Sequence, residues 1–185
     1  MSNFVDLIFI LDVVVLLILL LGICWSVGYP GARIWPPPNN RSWQYIITWV
    51  LFYLAFGLNA LLILFNWNSW QFSGSERFII GIPLILIGAS LFLWGIRTLG
   101  LKNTSGAVSE FITSGPYRFT RNPQYLGDMI LFIGLSICTN SYYLWITHTL
   151  LILVFIITPI AEEEWLVEQY GEVYRKYLDE TARFL

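Results

Sequence analysis

Five long apolar stretches, at about 4–27, 43–66, 78–99, 124–139 and 142–161, dominate this 185-residue chain. A soluble domain carries about a quarter charged residues, whereas this chain is 12% charged and 57% hydrophobic. A spanning helix needs roughly 20 apolar residues, which is the length of most of these stretches. The expectation is an all-α, polytopic membrane protein with about five transmembrane helices in one domain, 1–185. Residues 1–99 hold three N-terminal spans. Residues 100–185 hold a long loop, two further spans and a tail. The fourth stretch is short, and Asn140-Ser141 turns it tightly into the fifth, so these two form a helical hairpin.

The leader Met1-Ser2-Asn3-Phe4-Val5-Asp6 has no basic residue, and no small-residue cleavage site follows the first apolar run. The first span is therefore expected not to be a cleavable signal peptide. With five spans, Arg33, Arg41, Arg97, Lys102, Arg118, Arg121, Arg175, Lys176 and Arg183 fall on one side and Arg77 alone on the other. Such an excess marks the cytoplasmic side, placing the N-terminus outside and the C-terminus inside. Trp25, Tyr29, Trp35, Trp43, Trp67 and Trp70 lie near span ends, as interfacial aromatics do. A net charge of −2 suggests no nucleic-acid role. Cys24 and Cys138 read as packing residues, with no disulfide or metal site, and His148, the only histidine, as structural.

The connection from Gly28 to Ser42 contains Pro36-Pro37-Pro38 and reads as stiff and extended, without chemistry. The connection from Gly100 to Arg121 is the one long polar loop, with turns at Gly106, Ser114, Gly115 and Pro116. Pro123 suits the first turn of span four. Beyond span five the helix is expected to run on through Glu162 to Tyr170. Gly171 reads as its C-cap and 172–178 as a short amphipathic C-terminal helix. Trp165, Leu166, Gln169, Tyr170, Val173, Tyr174 and Tyr177 recur at helical spacing, giving one face to rest on the membrane or on the long loop.

Two charged segments abut the membrane at one level. One is Gly115-Pro116-Tyr117-Arg118-Phe119-Thr120-Arg121-Asn122-Pro123-Gln124-Tyr125; the other is Glu162-Glu163-Glu164. Three adjacent carboxylates repel one another and oppose a helix dipole when they sit at its C-terminus. They make sense around a cation, either Arg97 or Arg121 or a cationic ligand. Asp128 lies inside span four, where an ionised carboxylate is costly. It either pairs with Arg97 or faces a substrate. Asp12 and Asn59 lie at similar depth and are expected to hydrogen-bond to each other. No G-x-G-x-x-G, H-E-x-x-H or G-x-S-x-G motif is present.

These residues resemble the integral-membrane methyltransferases, a group that includes isoprenylcysteine carboxyl methyltransferase and phospholipid-methyltransferase-like proteins. The likeness rests on 115–125, the acidic cluster and Gly171-Glu172-x-Tyr174, and covers about 99–185. It implies S-adenosylmethionine as methyl donor, held by spans four and five, the long loop and the tail. By resemblance, Arg121, Asn122, Tyr125, Glu162 and Glu163 are cofactor-site candidates, with Tyr117 and Arg118 shaping the loop. The family's acidic pair falls on two of Glu162, Glu163 and Glu164. The donor's ammonium and sulfonium want carboxylates, its carboxylate wants an Arg or backbone amides, and its adenine and sulfonium favour aromatic faces. In one respect the chain departs from the isoprenylcysteine enzymes: it has Arg121-Asn122-Pro123 where they have R-H-P. Asn can hydrogen-bond a ligand but cannot act as an acid or base near neutral pH. The R-N-P form looks more like the broad prokaryotic group with varied acceptors. The G-x-G of some phospholipid N-methyltransferases is also missing.

The expected reaction is in-line methyl transfer to a lipid-like, hydrophobic acceptor entering from the bilayer, without metal or covalent intermediate. Membrane lipids are the other expected partners. Asp128 or a glutamate takes the proton of an amine acceptor, and Arg97 or Arg118 holds an anionic one. The rivals are an NADPH-dependent membrane reductase of the sterol-reductase type and a non-enzymatic membrane subunit.

Overall fold

The computed structural model describes residues 2–71, 74–104 and 110–185. The turn expected at Gly106 lies outside the described residues. The described chain is helical, with long helices α1 (Ser2–Gly28), α2 (Trp43–Phe65) and α3 (Glu76–Leu99). A one-turn α4 (Leu101–Thr104) and a 3-10 turn (Gly115–Arg118) follow, then α5 (Pro123–Thr139), α6 (Tyr142–Tyr170) and α7 (Glu172–Glu180). By length and composition α1, α2, α3 and α6 can cross a membrane. The fifth expected span, α5, has 17 residues and a length of about 25 Å, short of the roughly 30 Å hydrocarbon core.

The hairpin of α5 and α6 turns where the sequence indicates. Asn140 takes the left-handed conformation that ends α5, which Asn tolerates better than most residues. Ser141 then caps α6, its Oγ accepting from Leu144 N at 3.2 Å. Ser141 also donates to Asn66 Oδ1 at 2.6 Å, and Asn68 N donates to Thr139 O at 2.8 Å. The connection after α2 is thereby tied to the hairpin tip.

Close backbone approach joins α3 to α5. Gly81, Gly88 and Gly95 recur every seven residues on α3 and are all buried. Opposite them stand Gly127 and Gly134, also seven apart. A Cβ on Gly88 would lie 2.5 Å from Leu131 N and 2.6 Å from Gly127 O; one on Gly134 would lie 2.8 Å from Gly81 O. Without a hydrophobic drive between helices in lipid, such small-residue contact is how membrane helices associate. It sets the start of α5 against the end of α3, where a Cβ on Gly95 would lie 2.7 Å from Gln124 Cγ.

The other side of the bundle packs α1 and α2 onto α6, with Leu16, Leu19, Ile23, Ala55, Leu151, Val154 and Phe155 at the centre. The expected Asp12–Asn59 hydrogen bond is not formed. Asn59 turns toward α6, accepting from Thr147 Oγ1 at 2.9 Å, and its amide donates to Ala55 O at 2.9 Å. Asp12 is fully buried, and neither carboxylate oxygen has a hydrogen-bond partner among the described residues. His148 is buried with Nδ1 2.7 Å from Ser136 Oγ. Cys24 and Cys138 are both free.

Candidate functional site

The three consecutive glutamates point in three directions, because successive helix residues are rotated by about 100°. Glu162 turns inward, Glu163 turns toward the loop before α5, and Glu164 is exposed. Glu162 Oε1 accepts from the Tyr125 phenol at 2.6 Å and from the Trp35 indole Nε1 at 2.7 Å. Its Oε2 has no hydrogen bond among the described residues. Two neutral donors thus orient the carboxylate without neutralising it.

Trp35 comes from the proline-rich loop for which no chemistry was expected. Ser26 Oγ accepts from Ile34 N at 2.9 Å and from Trp35 N at 3.0 Å, pinning this loop to α1. Trp35 is consequently buried, at 5% exposure, instead of lying in the headgroup layer. In sequence, the run of prolines after it was the only sign that its position is constrained.

Glu163 holds an ion triad. It accepts from Arg121 Nη2 at 2.8 Å and from Arg183 Nε and Nη2 at 2.8 and 2.7 Å. The paired carboxylate beside Arg183 raises the guanidinium above its already high pKa. Arg121 Nη1 donates to Leu178 O and Thr181 O at 2.8 and 2.6 Å. Arg121 Nε is buried without a partner among the described residues. Asn122 Nδ2 donates to Arg183 O at 3.0 Å. Arg183 sits 62 residues from Arg121 in the chain, and no sequence spacing signals that they meet.

Tyr117 is buried, its carbonyl accepting from the Tyr177 hydroxyl at 2.5 Å and its hydroxyl from Gln124 Nε2 at 2.9 Å. Burial raises the pKa of the Tyr117 phenol and pushes that of Tyr177 up to about 12. Gly115 sits at φ +60°, and a Cβ there would meet Thr98 Oγ1 at 2.8 Å. Glycine therefore lets the loop pack on the end of α3. The face of the tail rests on the long loop: Phe111 lies 5.1, 5.8 and 5.5 Å from the rings of Tyr170, Tyr174 and Tyr177. Gly171, at φ +62°, makes the break between α6 and α7 that brings this face round.

Together these elements line a cleft that opens to solvent. Its walls include Tyr117, Arg121, Asn122, Tyr125 and Glu162 among the expected residues, with Pro36, Phe111, Gln124, Trp165, Tyr170, Tyr174 and Tyr177 besides. Four expected residues stand outside its lining. Glu163 is one of them and supports the wall through Arg121. Arg97 and Arg118 are exposed. Asp128, one helical turn past Tyr125 on α5, is half-buried and makes no ion pair with Arg97 among the described residues. The described residues hold no cluster of three or more His, Cys, Asp or Glu side chains suited to a metal ion.

The model of a family described as phospholipid methyltransferase matches residues 76–173, a stretch running from the start of α3 into α7. Phosphatidylethanolamine N-methyltransferase B of Dictyostelium discoideum is 31% identical over 90 residues, covering 45% of each chain. The chain thus matches less than half the length of that relative. No solved structure matches.

Proposed function

The chain belongs to the phospholipid methyltransferase family, and from that premise we propose that it transfers a methyl group from S-adenosylmethionine to a phospholipid-like acceptor at the cytoplasmic membrane face. The observation that carries this reading is Glu162, a carboxylate oriented by Tyr125 and Trp35 with one oxygen left for a ligand inside an aromatic cleft.

The donor set fits that cofactor. Glu162 Oε2 suits an ammonium or sulfonium, and the rings of Tyr117, Trp165, Tyr170 and Tyr174 suit its cation and its adenine. Arg121 keeps a buried Nε–H without an acceptor, the kind of donor a ligand carboxylate satisfies. When bound, the cofactor supplies an electrophilic methyl on its sulfonium. Holding the reacting groups in line and keeping water out then account for the rate enhancement.

Arg97 and Arg118 lie on segments that pack together, beside exposed Trp94 and Phe119. That combination of cations and interfacial rings suits an acceptor's phosphate and the headgroup layer. Asp128, behind Tyr125 on α5, is the candidate proton acceptor for an amine. Arg33, Arg121, Arg175, Lys176 and Arg183 gather around α6 and α7 at the cleft end, whereas Arg77 lies at the other end beside Asn68. This distribution supports a cytoplasmic cleft.

Among the described cleft-lining residues Arg121 is the only basic one, against Glu110 and Glu162. A 2′-phosphate would want the opposite balance, which favours the methyl donor over NADPH. Equilibrium binding tests the choice: saturable S-adenosylhomocysteine binding without NADPH binding is expected, and the reverse discards the proposal. Purified protein given radiolabelled S-adenosylmethionine and lipid extract should label a lipid fraction.

A further inference from the structure

Residues 178–183 are bonded to Thr120, Arg121 and Asn122, the three residues that lead into α5. Thr120 Oγ1 and Asn122 Nδ2 each donate to Arg183 O at 3.0 Å. Arg121 N donates to Ala182 O at 2.9 Å. Its Nη1 reaches Leu178 O and Thr181 O, while the Arg183 guanidinium grips both oxygens of Glu163. The segment 178–183 is thus a strap across the turn, locked to α6 by one bidentate ion pair. Both Arg183 and the strap lie outside residues 76–173.

The Arg121 side chain spends three hydrogen bonds on the strap and Glu163, and Asn122 spends its side-chain amide on the strap. The hydrogen bonds that these two side chains make go to the chain itself. Both nevertheless line the cleft, so the cleft wall is as rigid as the strap that holds it.

We propose that Arg183 is a positioning residue for the cofactor: through Glu163 and Arg121 it clamps the strap, and the strap holds the Arg121-Asn122 wall in its binding shape. Arg183 stands outside the cleft lining. Its removal leaves the Arg121–Glu163 pair in place, so the helices stay packed while the wall loosens. The inference rests on the methyl-donor reading for the identity of the ligand, and on geometry alone for the clamp.

The test uses the full chain in detergent or nanodiscs and compares wild type, Arg183→Ala and Arg183→Lys. Hydrogen–deuterium exchange reports the clamp directly, because the Arg121 amide is bonded to Ala182 O. Exchange in 117–124 should rise in Arg183→Ala while exchange in α3 stays as in wild type. S-adenosylhomocysteine binding should weaken about tenfold, the effect of one charge-assisted hydrogen bond, with KM for the lipid acceptor unchanged. Arg183→Lys keeps the charge but not the two-point grip, and should recover part of both effects. Faster exchange with unaltered cofactor affinity overturns the proposal, as does unaltered exchange. If wild type binds no S-adenosylhomocysteine, the methyl-donor reading fails instead, and exchange still decides whether the strap holds the turn.

Discussion

Tyr125, in the first turn of α5, and Glu162, near the end of α6, are joined by a 2.6 Å hydrogen bond across the two arms of the hairpin. Both residues line the cleft, and Trp35 donates to the same oxygen from the loop after α1. One carboxylate oxygen thereby collects donors from two separate parts of the chain, while the other accepts no hydrogen bond among the described residues.

Glu162→Gln should preserve the fold and lose the cofactor. The amide oxygen still accepts from Tyr125 and Trp35, but the negative charge is gone. Loss of a charge-assisted hydrogen bond worth about 1.5–3 kcal/mol corresponds to roughly ten- to hundredfold weaker binding. Calorimetric titration with S-adenosylhomocysteine measures it, and wild-type affinity in this variant removes Glu162 from the site. Trp35→Phe, which deletes one donor, should fall between the two.

Glu163→Gln should behave differently, because Glu163 accepts from two guanidiniums. Arg121 is only 9% exposed in its side chain and cannot readily turn to water. Breaking a buried pair costs about 3–5 kcal/mol; here the lower end is expected, since the Arg183 side chain is 38% exposed. Thermal unfolding in detergent should show a clearly lower midpoint than Glu162→Gln. Equal midpoints would contradict the division of labour between the two glutamates.

Gly88→Leu should prevent α3 and α5 from meeting, since even its Cβ falls 2.5 Å from backbone nitrogen on the neighbouring helix. Gly57→Ala is the matched control, with nothing within 4 Å of its Cβ. Size-exclusion profiles of the purified variants provide the comparison: Gly88→Leu should aggregate and Gly57→Ala should elute as wild type. A monodisperse, active Gly88→Leu would show that the helix contact is not needed.

Alkaline stability should depend on Tyr177. Burial pushes its phenol up to about 12 from the ordinary value of 10.0, so the folded state keeps the proton that the unfolded chain releases. The resulting stabilisation is complete below pH 10, declines as pH rises, and is lost through about pH 12. Unfolding followed across pH 9–12 should be less steeply pH-dependent in Tyr177→Phe than in wild type, Tyr117 and Tyr174 supplying the rest. Identical slopes would mean that the Tyr177 phenol is not held buried in the folded tail.

The helices were legible because apolar length and turn chemistry are local properties. Asn140-Ser141 and Gly171 mark their breaks by residue type alone. The meeting of the Arg-Asn-Pro turn with the acidic cluster was legible too, since both abut spans at one membrane level. The three directions of the glutamates were not, because the choice among Glu162, Glu163 and Glu164 depends on what packs around α6. Depth alone paired Asp12 with Asn59, but rotation about the helix axis turned Asn59 to Thr147. Trp35 resembled an interfacial anchor until the Ser26 contacts drew its loop inward.

From its sequence alone, this chain was bound to be a helical membrane protein with cations and carboxylates facing each other at one end. Hydrophobic length and residue type act within a segment and need no partner. Tertiary structure alone decided that Glu162 faces the cleft, that Glu163 anchors Arg121 and Arg183, and that the strap closes over the turn. Those assignments depend on helix rotation and on contacts between residues up to 127 positions apart, and residue order does not encode either one locally.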